Sequence, residues 1–249
     1  MTAPFPPAVR SDLAPMGKLR AGINYGNFLL VARDPAGPRG VAADLARELG
    51  QRADLPVEFV AYEQAGKLAE GVRAGAWDIA FLASEAERAN EIAFTNAYLE
   101  IEATYLVPAG SPIRAIADVD REGVRIAVAD KSAYDLFLSR TLKRAQLVRA
   151  QGIDGSYQVF VEQKLDVLSG LKPRLLKDVE QLPGARILDG RFTAIQQSIG
   201  APKGRVAAAG YLREFVEDLK ASGFVAESIA RNHVRGVSVA PKAPLQLDS

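Results

Sequence analysis

Short apolar runs alternate with amphipathic stretches of helical spacing along almost the whole chain, and that alternation constrains the fold more than any other feature. Leu19 to Tyr25 reads as a strand. Val41, Leu45 and Leu49 then fall at i, i+4 and i+8 on one helical stripe, with Asp44, Arg47 and Glu48 off it. Val57–Val60 is the next strand, Leu68 and Val72 mark a short helix, and Trp77–Leu82 is a second buried strand. The middle repeats the pattern, with strands over Thr104–Val107 and Val124–Ala129, a helix opened by Ser132, a strand over Leu165–Leu168 and a helix over Pro173–Gln181. Strands over Ala185–Leu188 and Thr193–Ile199 follow, then a helix over Arg205–Ser222 with Leu212, Phe215, Val216 and Leu219 on one face, and a shorter helix carrying Phe224, Val225 and Ile229. The stretch to Pro15 reads as a proline-rich lead-in, and the chain beyond Val237 as a loose tail. Strands separated by helices of about 10–15 residues build parallel βαβ units. Two clusters of such units predict an α/β fold of two lobes, with a ligand cleft between them at the carboxyl ends of strands.

Composition removes several functional classes. There are 31 Lys and Arg against 30 Asp and Glu, a net charge of +1, whereas a nucleic-acid surface needs a concentrated basic excess. With no cysteine there is no disulfide, thiolate nucleophile or zinc–thiolate site. The one histidine, His233, leaves little room for a metal site or a Ser-His-Asp triad and is expected on a solvated C-terminal helix. Apolar runs such as Phe28–Ala32 and Ile79–Ala83 are strand-length, far below the roughly 20 residues of a membrane-spanning helix. The N-terminus as written carries no apolar export signal.

A few residues stand where strands hand over to turns. Ser84 and Arg88 follow the Ile79–Ala83 run, Arg88 at an expected helix start. A planar guanidinium suits a carboxylate, although an arginine paired with Glu85 or Glu91 on the surface fits the same spacing. Ser132 opens a helix whose first N–H groups favour an anion, and it is equally a plain N-cap. Asn24 and Asn27 flank a strand end and serve as cleft lining or as loop residues. Gln196 and Gln197 sit in an apolar strand, so either one lines the cleft or both satisfy backbone groups at a lobe crossing.

Three segments in order carry a resemblance. They are GVAADLARELGQRADLPVEFVAY from Gly40, AGAWDIAFLASEAERANEIAFTNAY from Ala74 and VRIAVADKSAYDLFL from Val124. Together they resemble the family 3 extracellular solute-binding proteins, the amino-acid receptors of ABC importers, over about Gly17 to Ile229. The resemblance implies the type II periplasmic-binding-protein fold: two lobes joined by two crossing strands, closing like a hinge on a small solute. Lobe one would be residues 1–99 plus 196–249, and lobe two residues 100–195. It further implies that Arg88 grips the ligand carboxylate, that Ser132 and the backbone of Ala133 assist, and that Ser84, Asn24 and Asn27 add contacts. The position that meets an α-ammonium in such receptors is Leu171 here, beside Lys172. The implied solute therefore bears a carboxylate and a second anionic or neutral polar end, with Lys172 as a second contact.

The function implied is a monomeric, cofactor-free receptor with no catalysis, partnered by its solute and an ABC permease. It inserts in no membrane, binds no nucleic acid and holds no metal. The family works outside the cytoplasmic membrane, whereas a chain starting at Met1 without a leader would be a cytoplasmic relative. Two other readings fit the same scaffold. One is a cyclohexadienyl-dehydratase-like enzyme, which would need a cleft acid such as Glu162, itself in the context of a solvated helix face. The other is a sensory ligand-binding module.

Overall fold

The computed structural model describes residues 5–243. In chain order the elements are α1 (Pro7–Leu13), β1 (Leu19–Asn24), α2 (Val41–Ala53), β2 (Val57–Tyr62), α3 (Ala65–Glu70), β3 (Ile79–Ala83), β4 (Ile92–Phe94) and β5 (Leu99–Val107). Then come β6 (Arg125–Ala129), α4 (Ala133–Thr141), β7 (Gln146–Ala150), α5 (Gly152–Glu162), β8 (Val167–Leu171) and α6 (Lys172–Asp178). The last are β9 (Arg186–Ile187), β10 (Thr193–Pro202), α7 (Val206–Ala221), α8 (Phe224–Arg231) and β11 (Val237–Val239). The chain divides into two compact units. The first takes residues up to Glu63, Lys67–Glu100 and Gln196 onward; the second takes Ile101–Ile195 with Gln64–Gly66.

In the first unit β1 runs parallel to β2 and to β3, and β10 runs antiparallel to β3 and β4. The predicted stripe of α2 is its buried face: Val41, Leu45 and Leu49 are fully covered. The helix starts at Gly40, whose φ is 115° and where a Cβ would come 2.3 Å from the Leu30 carbonyl oxygen, so glycine is required there. Leu68, Trp77, Ala80, Leu82 and Ile92 form a second apolar cluster, with Trp77 Nε1 donating to the Leu68 carbonyl at 2.9 Å.

The proline-rich lead-in is in fact α1. Pro7 at its first turn needs no N–H donor there, and Val9 and Leu13 are buried with the helix packed on α7. Part of the expected loose tail is β11; residues 244–249 lie outside the described range. His233 lies beyond the end of α8 with φ 53°, not on the helix.

In the second unit β6 is parallel to β7 and β8, while β5 is antiparallel to β8 and β9. Its core joins Leu106, Ala127, Phe160, Leu165, Leu168 and Leu175. β8 lies over Val167–Leu171, C-terminal to the predicted Leu165–Leu168, and β9 is two residues long. Neither β7 nor α5 has a periodicity that announces it. β7 keeps Gln146 and Arg149 exposed, and α5 carries two glycines, Gly152 and Gly155, within its first turn.

Both units lock a parallel pair by the same device. Asp78, just before β3, donates its N–H to the Arg20 carbonyl, and its Oδ2 accepts from Arg20 N–H at 3.0 Å. Asp166, just before β8, does the same with Arg125, at 3.2 and 2.8 Å. Asp78 is the buried one, with side-chain exposure of 0% against 43% for Asp166. It also holds Arg20 Nε at 3.0 Å, Arg20 Nη2 at 2.9 Å and Arg205 Nη1 at 3.2 Å. Removing one partner of a buried ion group strands the others. Asp78→Ala should therefore lower unfolding free energy by about 3–5 kcal/mol, and Asp166→Ala by about 1 kcal/mol. Urea unfolding of the two variants checks the order; equal losses would remove burial as the cause.

Candidate functional site

The parallel strands of the first unit carry their ends to one edge of the sheet. Ala21 pairs with Ile79, and Gln197 pairs with Ala83, so Asn24 and Ser84 lie at the carboxyl ends of neighbouring strands, with Gln196, inside β10, opposite Ser84. Ser84 N–H donates to the Gln196 carbonyl at 2.9 Å and Ser84 Oγ to the same oxygen at 3.4 Å. Gln196 Nε2 donates to Glu100 Oε1 at 2.7 Å. Ser84 and Gln196 are thus brought together, with the side chain of Gln196 committed to Glu100. Gln197, the other amide, is buried, and its carbonyl accepts from Tyr98 N–H at 2.8 Å.

Asn24 ends β1 and folds the next turn. Its Oδ1 accepts from Gly26 N–H at 3.0 Å, and its carbonyl accepts from Asn27 N–H at 3.1 Å. A Cβ on Gly26 would meet the Glu63 carbonyl oxygen at 2.3 Å, so the turn admits no side chain there. Asn27 Oδ1 is buried with no hydrogen-bond donor among the described residues.

Arg88 is neither at the start of an α-helix nor on the surface. It opens a single 3-10 turn, Arg88–Asn90, because the chain leaves β3 and returns within ten residues as β4. The residue is 7% exposed, and Nη1 donates to the carbonyl of Ala83, the last residue of β3, at 3.0 Å. Desolvation pushes its pKa down to about 10, against the smaller opposing influence of Glu85 and Glu87. Glu91, one of the two surface partners expected for it, is instead held by Arg73 at 2.6–3.0 Å. A guanidinium whose charge is disfavoured by burial gains free energy from an anion placed against it.

In the second unit β6 and β8 are parallel, in the register Ile126 with Val167, so the chain after Ala129 and the end of β8 at Leu171 share one sheet edge. Ser132 is the N-cap of α4: its Oγ accepts from Asp135 N–H at 3.1 Å. Ala133 is the first residue of that helix and is buried. Leu171 is buried, and Lys172 is half-exposed with Nζ 2.7 Å from Glu102 Oε2. Arg191 Nη1 lies 3.8 Å from the other oxygen, Glu102 Oε1. The Lys172 hydrogen bond holds the Glu102 carboxyl below the usual carboxylate range.

Glu102 was not among the sequence candidates. It sits in the alternating run Leu99-Glu100-Ile101-Glu102, where every second residue reads as a solvated face. Its partner Lys172 is 70 residues away, and only the β5–β8 register brings the two together. The alternation does signal that Glu100 and Glu102 share one face of β5.

Among the described residues no group of three His, Cys, Asp or Glu is placed to hold a metal ion, and no helix is long and apolar enough to cross a membrane.

Solved structures share this architecture. The solute receptor for L-cysteine of Neisseria gonorrhoeae superposes with a TM-score of 0.76 at 18% identity, covering 91% of this chain and 95% of that one. A binding component of an ABC transporter from Wolinella succinogenes, complexed with lysine, gives 0.73 at 21% identity over 87% and 95%. The ancestral amino acid-binding protein AncCDT-1, a precursor of cyclohexadienyl dehydratase, gives 0.72 at 19% identity over 89% and 98%. No curated protein matches the chain in sequence. A model of the bacterial extracellular solute-binding proteins, family 3, matches residues 19–233. With its strand-end residues so arranged and nearly its whole length matched, the chain adopts the type II periplasmic-binding-protein fold and belongs to the family 3 bacterial extracellular solute-binding proteins.

Proposed function

We propose that the chain is a receptor for a small carboxylate-bearing solute, an amino acid or related organic acid, and that it serves an ABC importer. The observation that carries this is Arg88: a buried guanidinium at the carboxyl end of a parallel strand, where α/β proteins place their ligands. The family match and the lysine-bound transporter component support the solute class and the transport role. On this reading Ser84, Asn24, Asn27 and Gln196 add contacts to the solute beside Arg88. Ser132, Ala133 and Lys172 supply the second unit's contribution. Leu171 leaves an α-ammonium without a carboxylate at the end of β8, which favours a solute whose other end is anionic or neutral.

The relationship to a dehydratase precursor raises enzymatic chemistry as a second reading. Binding is favoured because Glu162, the acid such chemistry would recruit, is exposed at the last residue of α5. Asp178 is buried, and burial raises its pKa, but its carboxylate is taken by Arg174 at 2.7 Å.

Arg88→Ala and Arg88→Met should weaken solute binding at least about 100-fold, because a carboxylate loses charge-assisted hydrogen bonds. Both should stay folded, and Arg88→Met should melt at or above the temperature of the unaltered chain. The sign follows from burial: the fold lowers the Arg88 pKa to about 10, so it disfavours the charge throughout the pH range below about 10. That penalty fades only as pH rises above about 10, toward the ordinary guanidinium value. Unchanged affinity in calorimetry would show that Arg88 is not the carboxylate contact.

Ser132→Ala should cost binding within about tenfold, since the backbone donors of α4 remain, and about 1 kcal/mol of stability through the lost cap. A calorimetric panel tests the second end of the solute. Dicarboxylates and hydroxy acids should bind more tightly than zwitterionic amino acids, with Lys172→Ala erasing the difference. Tight binding of ordinary amino acids, indifferent to Lys172→Ala, would overturn this solute class.

A further inference from the structure

The antiparallel register of β5 with β8 pairs Ala103 with Leu171, which sets Glu102 directly across from Lys172. One carboxylate then faces two cations, Lys172 at 2.7 Å and Arg191 at 3.8 Å, and the three together carry a charge of +1. Their side chains are 39–49% exposed. Ion pairs so exposed add little to fold stability, so the excess cation is available to a group arriving from solvent. Two other carboxylates at this end of the unit lie against a different cation, Arg149. Asp135, nearly buried, accepts from Arg149 Nε at 3.1 Å, and Asp130 lies 4.0 Å from the same arginine. The positive excess therefore belongs to the Glu102–Lys172–Arg191 cluster itself, where an incoming anion meets two cations and one carboxylate.

We infer that Glu102, Lys172 and Arg191 form the charge-selecting contact of the second unit, where an anionic group of the solute binds Lys172 and Arg191 and Glu102 sets the strength of that preference. This rests on the reading of the chain as a carboxylate receptor. Within it Glu102 is an internal counter-ion that orients Lys172 and moderates its attraction for the solute. Neutralising Glu102 raises the cluster from +1 to +2; neutralising Lys172 lowers it to zero and releases one Glu102 oxygen.

The experiment is calorimetry on the full chain with glutarate, L-alanine and L-lysine as probes, comparing the unaltered protein with Glu102→Gln, Lys172→Met, Arg191→Gln and Arg88→Ala. One unit of charge at contact distance in a solvated site is worth about fivefold in affinity. Glu102→Gln should therefore raise the preference for glutarate over L-lysine about fivefold. Lys172→Met and Arg191→Gln should each lower it by a similar factor. If Arg88→Ala abolishes binding while these three variants leave the preference unchanged, the cluster is a surface ion pair only and the inference fails alone. If Arg88→Ala leaves binding intact, or the unaltered chain binds none of the three probes, the carboxylate-receptor reading fails and the inference falls with it. Circular dichroism spectra of each variant, expected to show the native fold, separate these outcomes from misfolding.

Discussion

A carboxylate with no solvent exposure has to be paired, and Asp78 is paired from both ends of the chain. Its partners Arg20 and Arg205 lie 58 and 127 residues away in sequence. A charge requirement therefore adds to apolar burial in closing the first unit, because leaving Asp78 unpaired would cost several kcal/mol. The pairing also fixes register. Oδ2 accepts both the backbone N–H and the Nε of Arg20, which ties β1 to β3 with Ala21 opposite Ile79. A slip of one residue would break those bonds and carry Asn24 away from Ser84 and Gln196. The strand-end geometry that gathers the candidate ligand residues is thus set at the opposite end of the same strands.

Arg88 presents the complementary situation. Its guanidinium is buried and its pKa lowered, so the fold holds a charge in an environment that disfavours it. A core optimised for stability alone would place an apolar residue at such a position. On the proposed reading, a solute carboxylate offsets that cost, the usual exchange between stability and activity at functional sites. The Nη1 bond to the Ala83 carbonyl keeps the group anchored to β3, so orientation does not have to be gained on binding.

The alternation of periods two and 3.6 made most of the architecture legible. β1, α2, β3, β6, α4, α7 and α8 lie within a few residues of their sequence-based positions, because each has a clear apolar face. What failed to show has particular causes. α1 hid behind prolines that are tolerated at a helix's first turn, and α5 behind glycines at its start. Asp78 and Asp166, each preceding an apolar strand and each matched by an arginine at the start of its neighbour, were present in the sequence as a repeated device, yet the pairing needs the register to be seen. Glu102 was illegible for the same reason: its partner is named only by which strand lies beside β5. Arg88 was visible as a residue, but spacing alone favoured a surface ion pair and only the family resemblance pointed to a carboxylate grip; burial is a tertiary property that a short 3-10 turn does not announce.

The overall charge of +1 gives a solute no long-range guidance, so discrimination has to be local. Local selection by charge needs an unbalanced cluster, and a cluster is unbalanced only if its counter-ions are counted. Arg149 against Asp130 and Asp135, and Arg174 against Asp154 and Asp178, each contain more carboxylates than cations, and all of those carboxylates are engaged. Lys172 and Arg191 share one carboxylate, leaving a positive excess at the strand end where α4 also begins. Such an excess is cheap to maintain while half-exposed, because water screens it. It strengthens once an entering solute displaces that water, since the same charges then act through a lower dielectric. Selectivity arising in this way appears only as the solute binds, which suits a protein that stays nearly neutral when empty.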